Sequence, residues 1–296
     1  MDAQNWKYLR ILARKGLRRM GLVRTPCVLT VDQNEMLLHP LEVDNVLSAA
    51  LLRSRIWEPF ETELFKEILE PGMIVADVGA NIGYHTLLAA KLVKPNGRVY
   101  AFEPSPDNYQ LLVKNINLNG YSSYVIPINK AVDSTPGELK LFLSPENRGD
   151  HRSFDSKVFD YDPYRQWIAI KSVSLDSFFM KERRIPDVIK MDIQGYEFNA
   201  FKGMRLLMAQ CENLLLFTEV WPRGLTEAGT STEDYVDSLI ASGFDLYLVA
   251  EEVSNLKRVN RAEVLDLAAK CDDSMYLNLL CRKGWTCGKC TSLFGV

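Results

Sequence analysis

Histidine and cysteine are scarce in this sequence, with three histidines and six cysteines among 296 residues. Cys281, Cys287 and Cys290 crowd into CRKGWTCGKC, which has the spacing of half a zinc site. A structural zinc wants four ligands, and with only His39, His85 and His151 to draw on, no metal is expected. Cys27, Cys211 and Cys271 fall in apolar surroundings and read as small core residues. A surplus of positive charge is also missing: 35 Lys and Arg face 38 Asp and Glu, a net charge of −3. A nucleic-acid partner is therefore not expected. No stretch reaches the roughly 18 consecutive apolar residues of a spanning helix. Internal repeats and low-complexity segments are absent as well. What remains is 47% hydrophobic and 25% charged, an ordinary globular composition that excludes a disordered, collagen-like or disulfide-dense chain. With its thiols read as reduced, the protein is expected in the cytoplasm.

The near-neutral total conceals a split. Residues 1–25 carry seven cations and one anion, a net +6, which leaves −9 for residues 26–296. Trp6, Leu9, Ala13, Leu17 and Met20 recur at helical spacing, with Lys7, Arg10, Arg14 and Arg18 one position round. Residues 1–25 thus read as a basic amphipathic helix, either docked on its own domain or in peripheral contact with an anionic membrane surface. A secretory signal is not indicated, because Arg14, Lys15, Arg18 and Arg19 interrupt every apolar stretch.

From residue 73 onward, short apolar runs alternate with helical patterns. MIVADVG (73–79), RVYAFEP (98–104), SYVIPINKAV (123–132), DVIKMDIQG (187–195) and LLLFTEV (214–220) read as buried strands. Helices are expected over 85–93, 106–120, 196–208 and 232–242. That rhythm predicts an α/β fold with a mostly parallel sheet covered on both faces. GELKLFLS (137–144) and WIAIKSVSL (167–175) read as antiparallel strands around a polar insertion. FDLYLVA (244–250) and MYLNLLC (275–281) would form an antiparallel edge. Residues 26–70 hold a hairpin, CVLTVDQNEMLLHP, and a helix over 59–69, and are expected to pack on the sheet as an extension. The main domain is expected over 71–285, with a Cys- and Gly-containing tail at 286–296.

The strongest local signal is DVGANIGYHT, at the first strand-to-helix turn. A dinucleotide loop needs a middle glycine where the backbone approaches the pyrophosphate, and Asn81 stands in that place. Asp77, two residues before Gly79, suits a ligand with an ammonium group better than one with phosphates. Glu103 ends the second strand, 24 residues after Gly79, where a carboxylate can accept both hydroxyls of a ribose. By itself that acidic end fits NAD or S-adenosylmethionine.

MIVADVGANIGYHTLLAA, VYAFEPSPDNYQLLVKNINLN, SVSLDSF and VIKMDIQGYEFNAFKGM, in this order, resemble the FkbM family of S-adenosylmethionine-dependent methyltransferases. The resemblance runs over about 57–221 and is more specific than any one motif. It implies a Rossmann-like, seven-stranded class I methyltransferase sheet with helices on both faces. It implies S-adenosylmethionine as cofactor and methyl transfer to oxygen, often on a sugar, glycolipid or polyketide hydroxyl. Asp77 and Gly79 would then face the methionine end of the cofactor, and Asn81 and Gly83 would shape the turn beneath it. Glu103 would hold the ribose, with Pro104 and Ser105 beside the adenosine and Ala131 at the edge of the adenine.

The acceptor must be aligned with the methyl group, and a hydroxyl must lose its proton to a carboxylate or histidine. Asp192 in IKMDIQG and Glu219 in LLFTEVW end strands that face one crevice, where a carboxylate needs a partner or a task. Capping the next helix, or pairing with Lys190 or Arg223, is the plain alternative for both. His85 is the third candidate, with helix capping or packing as its alternative. Glu197, one turn on, reads as complementing a helix dipole. Asn147, Arg148 and His151 lie in the polar insertion, which could close over a hydroxylated acceptor or stay solvated. Tyr161, Tyr164 and Trp167 could stack on a sugar ring or belong to the core.

The expected protein is therefore an O-methyltransferase with a small-molecule or glycan acceptor. Its rivals are an N-methyltransferase on the same fold, an NAD-dependent oxidoreductase disfavoured by Asn81, and a non-catalytic cofactor-binding module.

Overall fold

Alternating apolar residues near the start of the chain fold back on themselves: β1 (Val28–Val31) and β2 (Asn34–Leu37) pair antiparallel. Asp32 and Gln33 between them both have positive φ, 46° and 66°, as a two-residue hairpin turn requires. The computed structural model describes residues 28–154, 166–284 and Phe294. The basic segment 1–25, Cys27, Tyr161, Tyr164, Cys287 and Cys290 lie outside the described residues. Two helices follow, α1 (Leu47–Ser54) and α2 (Pro59–Ile68). The second begins on a proline, whose fixed φ and missing N–H suit the first helical turn. The sequence pattern did not reveal α1, which is short and is fastened by Asp44 accepting from the N–H and hydroxyl of Ser48 at 2.9 and 2.6 Å.

The α/β alternation then runs β3 (Ile74–Val78), α3 (Tyr84–Val93), β4 (Arg98–Phe102), α4 (Pro106–Leu118) and β5 (Val125–Ile128). The strand expected over 123–132 is divided at Asn129 and Lys130. Beyond that break, β6 (Ala131–Val132), β7 (Gly137–Phe142) and β8 (Trp167–Val173) form a separate sheet of order β6-β8-β7. β7 and β8 pair antiparallel, as their patterns suggested. Trp167 is 49% exposed beneath the Lys140 ammonium and is not a core residue.

Next come α5 (Leu175–Glu182), β9 (Val188–Met191), α6 (Glu197–Lys202) and α7 (Arg205–Gln210). The last two replace the single helix expected over 196–208. They part at Gly203, where a Cβ would lie 2.4 Å from the Asp133 carbonyl oxygen. Asp176 caps α7 from outside, accepting from the N–H groups of Leu206 and Leu207 at 3.0 and 2.7 Å. The chain closes with β10 (Leu214–Val220), α8 (Pro222–Glu227), α9 (Thr232–Ala241), β11 (Asp245–Ala250), β12 (Asn255–Val259), α10 (Arg261–Ala268) and β13 (Leu277–Lys283).

The main sheet has the order β12-β11-β13-β10-β9-β3-β4-β5. From β10 to β5 neighbouring strands are parallel, and β13 lies antiparallel between β10 and β11. It has eight strands where seven were expected, because β12 hairpins back onto β11 at the edge. The NLKRV of β12 is largely exposed, so apolar periodicity could not reveal it. Its Lys257 and Arg258 suit an edge that must not recruit another strand. Successive strand residues face opposite sides, so Val75, Val99, Val188 and Leu215 pack beneath α2, α3 and α4 with Phe65, Leu88 and Leu112. Ala76, Tyr100, Ile189 and Leu216 pack on the other face with Phe179, Phe201 and Tyr235. Cys281 is fully buried in β13 as a core residue. Among the described residues no helix is long and apolar enough to cross a membrane.

Candidate active site

The carboxyl ends of β3, β4, β9 and β10 open onto a cleft of ≈ 230 Å³, the position at which an open parallel sheet binds ligands. Asp77, at the end of β3, is 3% exposed and accepts from the Thr86 hydroxyl at 2.5 Å. The turn that follows depends on Gly79, whose φ is +91° and whose Cβ, if present, would fall 1.9 Å from the Asp192 carbonyl oxygen. Only glycine lets this turn lie against the end of β9. The N–H groups of Gly79 and Ala80 both donate to the Phe102 carbonyl at 3.0 Å, which ties the turn to the end of β4.

Glu103 completes that link. One carboxylate oxygen accepts from the Asn81 N–H at 2.8 Å, and the other accepts from the Ser105 N–H at 2.8 Å. The glycine loop and the acidic strand end, separate motifs in the sequence, are thus one hydrogen-bonded unit. Asp77, Gly79, Asn81, Glu103, Pro104 and Ala131 all line the cleft. Gly83 and Ser105 stand behind it: Gly83 starts α3 against Leu112, and Ser105 is 2% exposed at the start of α4.

Asp192, Glu219 and His85 line the same cleft, as do Asn147, Arg148 and His151 from the insertion. Asp192 accepts from the Gln194 amide at 2.8 Å. Glu219 is 6% exposed, and Arg223 is not its partner, since it pairs with Glu227. His85 packs on Phe65 and Tyr84, with its Nε2 3.6 Å from Glu61 Oε1. Within the insertion, His151 Nδ1 accepts from the Ser144 N–H and Asn147 Oδ1 from the Gly149 N–H, both at 3.0 Å. Glu197 stands in the first turn of α6, as the sequence suggested, and has a further role. It is fully buried, and it braces the turn after β9 by accepting from the N–H groups of Ile193 and Gly195 at 2.9 and 3.2 Å.

Residues 77–246 match the methyltransferase FkbM domain. The chain belongs to the FkbM methyltransferase family. Among curated relatives, the hexuronic acid methyltransferase AglP of Haloferax volcanii is 28% identical over 189 residues, covering 63% of this chain and 71% of the relative. A protein-L-isoaspartate O-methyltransferase of Methanopyrus kandleri is 30% identical over 118 residues, covering 37% of this chain and 52% of the relative. A solved SAM-dependent O-methyltransferase of Thermotoga maritima aligns with a TM-score of 0.40 at 11% identity, covering 91% of this chain and 82% of that one. The cofactor of this FkbM methyltransferase is S-adenosylmethionine, and the cleft fits it. Glu103 keeps acceptor capacity for ribose hydroxyls beyond its two backbone donors, since a carboxylate offers about four lone-pair sites. The missing Cβ of Gly79 lets the turn close on β9 and leaves its backbone facing the cleft.

Lys190, read in the sequence only as a pairing partner for Asp192 or Glu219, stands at the centre of a larger charged group. Lys190 is 6% exposed in the otherwise apolar β9 and lines the cleft. Its ammonium lies 2.8 Å from Glu61, 3.8 Å from Asp192 and 4.0 Å from Glu58. Glu58, Glu61 and His85 have the spacing of a metal site, with ligand atoms within 4.8 Å of one another. The fold brings His85 to Glu58 and Glu61, which are neighbours at the start of α2, and Lys190 supplies positive charge there. A lysine inside an apolar strand was the available clue, because a buried charge requires a partner.

Burial raises the proton affinity of the FkbM cleft's carboxyls. It pushes Asp77 up to about 6 against the opposing Thr86 bond and Lys190 charge. Glu103 rises to about 7, against the backbone donors that favour its ionised form. Burial and then neighbouring carboxylates also raise Glu58 and Glu219. Burial, then Lys190, holds His85 well below its ordinary value. The folded chain thus keeps protons that the unfolded chain has released above the usual carboxylate range, so stability falls as pH rises through that window. The ligand-free protein should melt several degrees lower at pH 8.5 than at pH 6, by roughly 5 °C if about 2 kcal/mol is lost. Differential scanning calorimetry across that range decides it, and a rising melting temperature would contradict the sign.

Proposed function

We propose that this FkbM methyltransferase transfers a methyl group to a hydroxyl of a sugar or sugar-like molecule. The observation that carries the reading is Glu219, a carboxyl 6% exposed at the end of β10, in the cofactor cleft. A buried carboxyl with raised proton affinity is suited to taking a proton from a poorly acidic hydroxyl. S-adenosylmethionine, when bound, supplies the electrophilic methyl. Glu103 would hold its ribose hydroxyls, and Asp77 would brace the loop through Thr86. Asp192 and Glu219 are the two groups placed to receive the acceptor proton, while His85 stays neutral as a packed ring. The printed name of the Haloferax volcanii relative, a hexuronic acid methyltransferase, supports a sugar acceptor. An amine acceptor is the second reading, favoured by Glu58, Asp192 and Glu219 all lining the cleft.

Labelled methyl donor offered with pooled neutral glycosides and, separately, with pooled primary amines tests the choice. Label in glycosides is expected, and label confined to amines would establish the second reading. Glu103→Gln should weaken S-adenosylhomocysteine binding about tenfold to a hundredfold, the worth of one or two charge-assisted hydrogen bonds. Titration calorimetry measures it, and unchanged affinity would remove Glu103 from the ribose role.

A further inference from the structure

Next to the cofactor cleft lies a second cleft of ≈ 470 Å³, within the range of small-molecule sites. The two share Asn147, Gln194, Glu219 and Tyr276, so they meet at a neck that contains Glu219. Asp192 and His85 line only the first cleft, whereas Glu219 lines both. Position therefore separates three residues that the sequence offered as candidate bases.

The second cleft is lined by the neutral hydrogen-bonding groups of Asn45, Ser144, Asn147, Gln194 and Ser274. Glu146, Glu219 and the paired Asp150 and Arg152 also line it, an acidic balance that disfavours an anionic acceptor. Amides and hydroxyls both donate and accept, which matches a ring decorated with hydroxyls. Pro145 is the single aliphatic side chain among the described lining residues, and Trp221 and Tyr276 add aromatic surface. The floor is rigid. The Arg152 guanidinium, 4% exposed, stacks 4.6 Å from the centre of the Trp221 ring, and its Nε donates to Asp150 at 2.7 Å. From the other direction Gly224 presses on the indole, where a Cβ would come within 2.0 Å. The rim is tied by the Asn45 N–H donating to the Glu146 carbonyl at 2.9 Å, which joins the segment before α1 to the insertion. Asn45, Ser274 and Tyr276 lie outside the matched family segment, so part of this wall is added to the common domain.

We propose that this second cleft is the acceptor subsite, that it takes a neutral polyhydroxylated ring, and that Glu219 in the neck is the group that receives the acceptor's proton. The proposal rests on the methyltransferase reading above and extends it. Glu219 takes the hydroxyl proton as the acceptor oxygen bonds to the methyl carbon and the carbon–sulfur bond breaks, with its electron pair going to sulfur. Glu219 is left protonated beside a neutral thioether, and it returns the proton to solvent. In the ligand-free cleft burial makes Glu219 hold its proton, and a cationic neighbour favours the ionised form that can act as base.

The test uses the full chain loaded with S-adenosylhomocysteine, with methyl β-D-glucopyranoside as probe and catechol as a flat aromatic comparison. Saturation-transfer NMR should show contact to the glycoside ring protons. Ser274→Trp and Asn45→Trp, which put bulk into the second cleft, should each cut that signal by roughly tenfold while S-adenosylhomocysteine affinity stays within about twofold. Both positions are exposed, so two variants guard against the misfolding of one. A glycoside signal that survives both substitutions, or catechol binding in place of the glycoside, overturns the proposal. Failure of S-adenosylhomocysteine to bind the unaltered chain instead removes the methyltransferase reading beneath it.

Discussion

Gly79→Ala should abolish S-adenosylhomocysteine binding and cost about 3 kcal/mol or more of stability, the size expected when a substitution collides with backbone at a special φ. The new methyl group would lie 1.9 Å from the Asp192 carbonyl oxygen and 3.0 Å from its carbon. Neither side can easily withdraw. The glycine turn is held by two N–H bonds to Phe102, and β9 is held to β3 through the Asp192 N–H donating to Val78 at 3.0 Å. The positive φ of Gly79 adds the ordinary penalty for a side chain in that region. Gly120→Ala provides the control: its φ is +72°, but nothing lies within 4 Å of the added carbon. It should therefore show only the backbone cost, about 1 kcal/mol. Thermal melts and calorimetric titration of both variants distinguish the outcomes. Equal melting temperatures for the two variants would mean that the contact between the turn and β9 is soft.

Lys190→Met is the second substitution with a large expected effect. It keeps much of the side-chain volume but leaves Glu61, 4% exposed, without the ammonium 2.8 Å away. Removing one partner of a buried pair typically costs 3–5 kcal/mol, because the remaining charge stays buried and uncompensated. For a chain of this size that corresponds to a fall of roughly 10 °C in melting temperature. Lys190→Met combined with Glu61→Gln should recover much of the stability, because no charge is then left behind. A single variant as stable as the unaltered chain would show that the pair contributes little. A double variant no better than the single would place the damage in packing rather than charge.

The glycine loop and the acidic strand end were legible because they are local. Asp77 and Gly79 sit within a few residues of one another, and Glu103 ends the next strand, so two short motifs at strand ends specify their chemistry. The acceptor half was not legible in that way. Lys190 meets Glu58 and Glu61, which reach β9 only because α2 packs on the same sheet face. Glu197 looked like an ordinary first-turn acid, yet the turn after β9 curls over it and buries it completely. The strand over 123–132 looked continuous, although Ala131 and Val132 find their partner in β8 rather than in the main sheet. The polar β12 carried no apolar period to read, and it exists because β11 offers it an open edge.

By itself, the sequence determined the alternating strands and helices, the two-faced parallel sheet, the family and the position of the glycine loop at the end of β3. Those features are written in hydrophobic period and in short motifs whose residues act on their immediate neighbours. Only the tertiary structure decided which carboxylates share a proton-rich cleft and which lysine stands among them. It also decided that Glu219, of three candidate bases, faces both clefts. Electrostatics and enclosure depend on distances between groups far apart in the chain, and packing sets those distances.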